Sequence, residues 1–109
     1  MSFEQKTVVI KLTESSFNSK KFKFRGIIKA IILKNSMPMT INITSENGYY
    51  IFTESQHIGS HYFPLKANAL NRKAHRLNFT ADDYYLNEEL TVSCEGSVGD
   101  NLVLVIRYI

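Results

Sequence analysis

Two stretches of this chain are apolar on both faces of the strands they would form, and this restricts its fold more than any other feature. Ile27–Leu33 reads I-I-K-A-I-I-L, and the closing Leu102–Ile109 reads L-V-L-V-I-R-Y-I. Successive side chains of a strand point to opposite faces, so a strand with one wet face alternates apolar and polar residues. Neither run does. A chain of 109 residues holds one core and is too short for two. When two sheets pack, each has one inner face, so strands apolar on both sides leave an outer face needing cover. The surplus predicts a single domain, residues 1–109, in which Ile27, Ile31, Leu33, Val103 and Val105 meet another subunit or another protein.

Elsewhere the chain keeps a two-residue period. Val8, Ile10 and Leu12 share a face opposite Thr7, Val9 and Lys11, and Lys20–Lys34 reads as one long strand with a bulge or bend at Gly26. Asn35-Ser36-Met37-Pro38 predicts a turn. Met39–Thr44 and Tyr49–Thr53 flank Asn47-Gly48, a pair that accepts the positive φ of a tight hairpin. His61–Leu65 is extended, Lys66–Leu77 is the one stretch with helical character and fits a long loop equally well, and Thr80–Asp83 fits a capped turn. Leu90–Glu95 and Asn101–Ile109 predict a closing antiparallel hairpin. Seven or eight short strands with Gly, Pro and Asn turns predict an all-β, two-layer antiparallel β-sandwich or jelly roll, with a small closed β-barrel as the alternative.

Net charge is only +3, but it is unevenly spread. Residues 1–34 hold eight Lys and Arg against Glu4 and Glu14, whereas residues 82–109 hold six Asp and Glu against Arg107. Two readings follow: cross-strand pairing where the first and last strands share a sheet, or a basic edge on one subunit meeting an acidic edge on the next. No apolar run reaches the roughly 18 residues that span a bilayer, and no apolar signal core follows the opening Met-Ser-Phe-Glu-Gln-Lys. We therefore expect no membrane partner. Cys94 has no partner for a disulfide and shares a face with Leu90 and Val92, which predicts a buried free thiol in a chain folded in a reducing cytoplasm.

The candidate reaction centres fail on spacing. Gly96-Ser97-Val98-Gly99 does not make a nucleophile elbow. His57 and His61 stand four apart, but Gly59 and Pro64 argue against the helix that would aim both at one metal, even with Glu54 as a third ligand. The expectation is two loop histidines facing solvent. Asp82-Asp83 and Glu88-Glu89 lack the alternating oxygens and Gly turn of a calcium loop, and no Gly-rich phosphate loop precedes a helix. The chain is expected to be no enzyme and to carry no cofactor or metal.

Lys20, Lys21, Lys23 and Arg25 interleave with Phe22 and Phe24, a pattern that in single-strand binders tracks phosphates while stacking bases. Alternation instead sends both rings toward the core face, away from Lys21, Lys23 and Arg25. Six tyrosines and no tryptophan leave a carbohydrate platform as a further alternative. A single-stranded nucleic-acid-binding or carbohydrate-binding β module is thus the rival class.

Taken whole, the run from Phe24 to Leu65, with its bent apolar strand, Asn-Gly hairpin and aromatic Pro-Leu strand, resembles the small β-structured virion proteins of tailed bacteriophages. The closing run from Tyr84 to Ile109 is similar to their last hairpin, so the resemblance covers about residues 22–109. It implies a non-enzymatic structural component of a phage virion: a capsid decoration or auxiliary protein, or a neck or tail component. Such a protein is made in the host cytoplasm and resides in the virion. It works as a homo-oligomer or with other virion proteins, such as major capsid or tail proteins.

Overall fold

The computed structural model describes residues 4–64 and 85–109. The predicted helical stretch Lys66–Leu77 and capped turn Thr80–Asp83 lie outside the described residues. Among the described residues the chain forms six strands: β1 (Glu4–Lys11), β2 (Phe17–Gly26), β3 (Ile28–Thr44), β4 (Tyr50–Pro64), β5 (Leu86–Gly96) and β6 (Asn101–Tyr108). All pairings are antiparallel, in the order β1-β6-β3-β5-β2, with β4 on β3. The all-β expectation holds, and the single sheet curls into a nearly closed, barrel-like form.

The curl follows from β3, which serves two neighbours in succession. Its residues Ile28–Lys34 pair with β6 and Met39–Thr44 with β5, while β4 accompanies it from Ala30 to Thr44. One half-sheet is therefore β1, β6, the start of β3 and the end of β4; the other is β2, β5, the end of β3 and the start of β4. Their inner faces share one core. Val8, Ile10, Ile31, Leu33, Leu104 and Ile106 come from the first half, and Met39, Ile41, Ile43, Phe52, Leu90 and Val92 from the second. Across the seam between β1 and β2, Lys6 Nζ lies 5.6 Å from the Phe22 ring centroid.

Asn35–Pro38 does not turn the chain; it is a bulge inside β3, where the register to β4 shifts between Asn35 and Met39. Buried Asp100 makes this bulge tolerable. Its carboxylate accepts the Ser36 N–H at 3.1 Å, the Met37 N–H at 2.9 Å and the Asn101 N–H at 2.8 Å. Backbone donors released from the ladder must find another acceptor when they leave water. The facing strand β4 bends with the help of Gln56 at φ 52° and Gly59 at φ 96°. A predicted turn at Asn35–Pro38 that is a bulge, and a facing stretch of β4 that bends without breaking, thus leave two long strands, which is why six are seen among the described residues in place of seven or eight.

Gly26 is the opposite case. There φ is 144°, and a Cβ would stand 2.8 Å from Tyr108 Cδ2 and 2.9 Å from the Ile109 carbonyl oxygen. The chain changes direction sharply enough to end β2, and Ile27 exchanges two backbone hydrogen bonds with Ile109, at 2.9 and 3.1 Å. The predicted strand Lys20–Lys34 is therefore divided between the half-sheets. Leu90–Glu95 and Asn101–Ile109 also do not pair with each other: β5 bonds to β2 and β3, and β6 to β1 and β3. They take successive stretches of β3, so the connection between them crosses from one half-sheet to the other.

Candidate functional site

The outer side of the first half-sheet is where the apolar surplus emerges. Cross-strand register sets Thr7, Val105, Ile32 and Tyr62 in one row, and Val9, Val103, Lys34 and Ser60 in the next. Val9 is 41 % exposed and Tyr62 55 %, while Ile32, Val103 and Val105 are half-buried among their neighbours. The outward positions of β1 and β6, namely Gln5, Thr7, Val9, Lys11, Asn101, Val103, Val105 and Arg107, include no carboxylate.

Of the predicted interface residues, Val103 and Val105 lie on this face. Ile27 is half-buried at the junction with Ile109. Ile31 and Leu33 must be corrected: both are fully buried in the chain's own core, opposite Ile106 and Leu104. The cause is a register shift between Ile28 and Ala30, which inverts the alternation after it and turns Ile32 outward. Val9 and Tyr62 were missed as members. For Val9 a signal existed, since an apolar residue sits on the wet face of T-V-V-I-K-L.

The outer side of the second half-sheet has different chemistry. Its rows are Ser19, Ser93, Asn42 and Thr53, then Lys21, Thr91, Thr44 and Tyr50. Thr53 Oγ1 donates to Asn42 Oδ1. Lys20, Lys21, Lys23 and Arg25 are all exposed on β2, with Lys23 opposite Glu89. Phe24 is buried with its ring edge-on to Tyr108 at 4.9 Å, and Phe22 packs against the core. The rings are thus unavailable for stacking bases beside those cations. Exposed tyrosines are spread, with Tyr49 and Tyr50 near the β3–β4 hairpin and Tyr62 on the apolar face.

At the bend the structure joins two residues expected to face solvent separately. His57 is buried, and its Nε2 stands 2.9 Å from Nδ1 of exposed His61. Its Nδ1 stands 2.5 Å from Asn35 Oδ1. The Asn35 amide is oriented by its own donations to the Met37 and His57 carbonyls, at 2.6 and 2.8 Å. Burial, then the neighbouring His61, lowers the His57 pKa, against the opposing field of Glu54. Glu54, His57, Ile58, His61 and Phe63 line an open pocket of about 310 Å³. Among the described residues no group of three or more His, Cys, Asp or Glu is gathered in a way that could hold a metal ion. Cys94 is a buried free thiol, as its pattern predicts, and burial followed by the nearby Asp100 pushes its pKa up to about 11.

No protein-family model matches the sequence, and no curated protein matches it. Solved structures do. The chain is similar to the SPBc2 prophage-derived protein YomS, with 10% identity and a TM-score of 0.51 over 98% of this chain and 96% of that one. It is also similar to the pre-peptidase C-terminal domain of a collagenase from Bacillus anthracis, with 10% identity and a TM-score of 0.49 over 94% and 88%. A third is CBM27-1 of Caldicellulosiruptor saccharolyticus, solved with mannohexaose, with 8% identity and a TM-score of 0.41 over 97% and 66%. At these identities the likeness to YomS is one of fold: a small β domain of the same layout.

Proposed function

We propose that this chain is a non-enzymatic structural component of a phage virion, a capsid decoration or auxiliary protein or a neck or tail component, that assembles through the outer face of its first half-sheet. The observation that carries the reading is the pair of rows containing Val9, Val103, Val105, Ile32 and Tyr62. A sheet face meant for water alternates to polar residues, as the second half-sheet does. The fold shared with a prophage-derived protein supports the same reading.

The partner surface should be acidic at its margin, because Lys11 and Lys34 flank the apolar rows. A second copy carries such a margin at the hairpin end, where Glu46 and Glu88 stand together. The Glu46 N–H donates to Glu88 Oε1 at 2.8 Å, and the Glu89 N–H donates to Glu46 Oε1 at 2.7 Å. Contact between different patches of successive copies is heterologous and builds rings or lattices. Other virion proteins, such as major capsid or tail proteins, are the alternative occupants.

Mass in solution and incorporation into particles test the proposal. The wild-type chain is expected to oligomerise or to enter particles, and Val103→Glu to lose both while keeping the wild-type circular dichroism. A monodisperse monomer that binds oligonucleotide or glycan and never enters particles would sink the assembly reading.

A further inference from the structure

We propose that the hydrogen bond between His57 and His61 is a proton-operated latch, which holds the bend of β4 closed while the pair carries at most one added proton and releases it when the pair takes two. The bend needs a fastening of this kind. In the β3–β4 register Asn35 pairs with Gly59 and Met39 with His57, so the ladder skips Ser36–Pro38 on β3 and Ile58 on β4. Side chains take over there. Asn35 Nδ2 donates to the His57 carbonyl at 2.8 Å, His57 Nδ1 stands 2.5 Å from Asn35 Oδ1, and His57 Nε2 stands 2.9 Å from His61 Nδ1.

Asn35 fixes the tautomer of the buried ring. Its amide N–H groups are committed to the Met37 and His57 carbonyls, so Oδ1 is left to accept from His57 Nδ1–H. The lone pair then lies on His57 Nε2, and His61 Nδ1–H donates to it. One added proton is tolerated. On His61 Nε2 it leaves that bond in place; on His57 Nε2 it reverses the bond, once His61 has moved its own proton to Nε2 through solvent, and in either case the charge strengthens the bond. A second proton sets N–H against N–H across 2.9 Å, with two cations and no acceptor between them. Exposed His61 then turns to solvent, while Asn35 keeps hold of His57.

The surroundings set the direction of the pH dependence. Burial, then His61, lowers the His57 pKa, and Glu54 on the same strand opposes them. Across the ladder, Asn35 and Met39 on β3 are uncharged and Lys34 stands opposite Ser60. The Phe63 ring lies 5.9 Å from that of His57, and the Asp100 carboxylate is engaged by the Ser36, Met37 and Asn101 N–H groups. In acid the closed pair holds one proton fewer than two separated rings. The latch is therefore fully effective above the ordinary imidazole pKa of 6.5 and is lost as pH falls below it, the open population rising about tenfold per pH unit.

The test is amide hydrogen exchange on the full chain from about pH 7.5 to about pH 5, read as protection factors for Gly59–Phe63, with Leu102–Ile106 of β6 as the reference. In the wild type, protection at the bend should fall about tenfold per pH unit below about pH 6.5 while the reference holds. His61→Ala, at an exposed position, removes the latch and lets His57 Nε2 meet water. Its bend should be poorly protected already at neutral pH, with no further step in acid. His61→Asn has an amide that can donate to neutral His57 Nε2 or turn its oxygen to accept from the protonated ring, so it should stay closed throughout. A wild type without the acid step, or a fall shared equally by the reference, would overturn the latch. So would a wild-type step that persists in His61→Ala, which would make burial of His57 alone the cause, or one that persists in His61→Asn.

Discussion

The two outer faces of this curled sheet are made by the same strand, β3, and differ in kind. Where β3 runs beside β6, its outward residue Ile32 sits between Val105 and Tyr62; where it runs beside β5, its outward Asn42 sits between Ser93 and Thr53. Both halves bury their inner side equally well, so the core does not require the difference. An apolar outward row contributes little to a monomer's stability, because much of its area stays in water. Under the proposed function such a row serves contact with something else, and the hydroxyl and amide rows of the second half are its polar counterpart.

The largest effect should mark the inside from the outside of one strand. Leu104 is fully buried, whereas its neighbour Val105 faces outward. Leu104→Ala is expected to cost about 2–5 kcal/mol of unfolding free energy. Val105→Ala should cost less than about 1 kcal/mol, because much of its cavity opens to solvent. Chemical denaturation of the two variants measures the contrast. Equal losses would mean that Val105 is core, and the apolar face would lose its centre.

A charge on each outer face tests the comparison directly. Val105→Glu should weaken self-association or particle binding by about a hundredfold, since a carboxylate buried in an apolar contact is left without a partner. Ser93→Glu, at a matching outward position on the second half-sheet, should leave association unchanged. Sedimentation over a concentration series reads both. If Ser93→Glu is the more damaging, the docking face is the polar one.

Gly26 joins the halves, and Gly26→Ala should destabilise by about 1–3 kcal/mol through a strained φ and the close Tyr108 ring and Ile109 carbonyl. Thermal unfolding would show it. Retained stability would mean that the two halves are coupled elsewhere, through the β3 bulge and Asp100.

How much of this was written in the sequence depends on range. Strand identity followed from the two-residue period, the Asn47-Gly48 hairpin from its turn chemistry, and the Cys94 thiol from its place beside Leu90 and Val92. These are local properties. What failed depended on contacts far along the chain. Asn35–Pro38 looks like a turn because Asn, Ser and Pro are turn formers, and it stays within a strand because Asp100, more than sixty residues away, accepts the Ser36 and Met37 N–H groups. The Ile28–Ala30 shift inverts which of Ile31, Ile32 and Leu33 faces out, and no composition rule marks it. His57 and His61 meet only because β4 bends at Gln56 and Gly59. Half of the apolar face was legible at Val103 and Val105, which lie on a regular strand; Ile32 and Tyr62 lie beyond the irregularities.

The smallest effect concerns the charges at the margin of the apolar face. Lys34 is exposed and lies opposite Val103 and Ser60, beside the rows proposed to dock. A margin charge steers encounter more than it holds a complex, so Lys34→Glu should slow association severalfold and leave dissociation nearly unchanged. Added salt should narrow the difference, because exposed charges are screened over roughly 10 Å at 0.1 M. Stopped-flow association at low and high salt separates the two steps. If Lys34→Glu accelerates association instead, the partner's margin is basic, the Glu46, Glu88 and Glu89 end of a second copy is excluded as the occupant, and the apolar face belongs to a different protein.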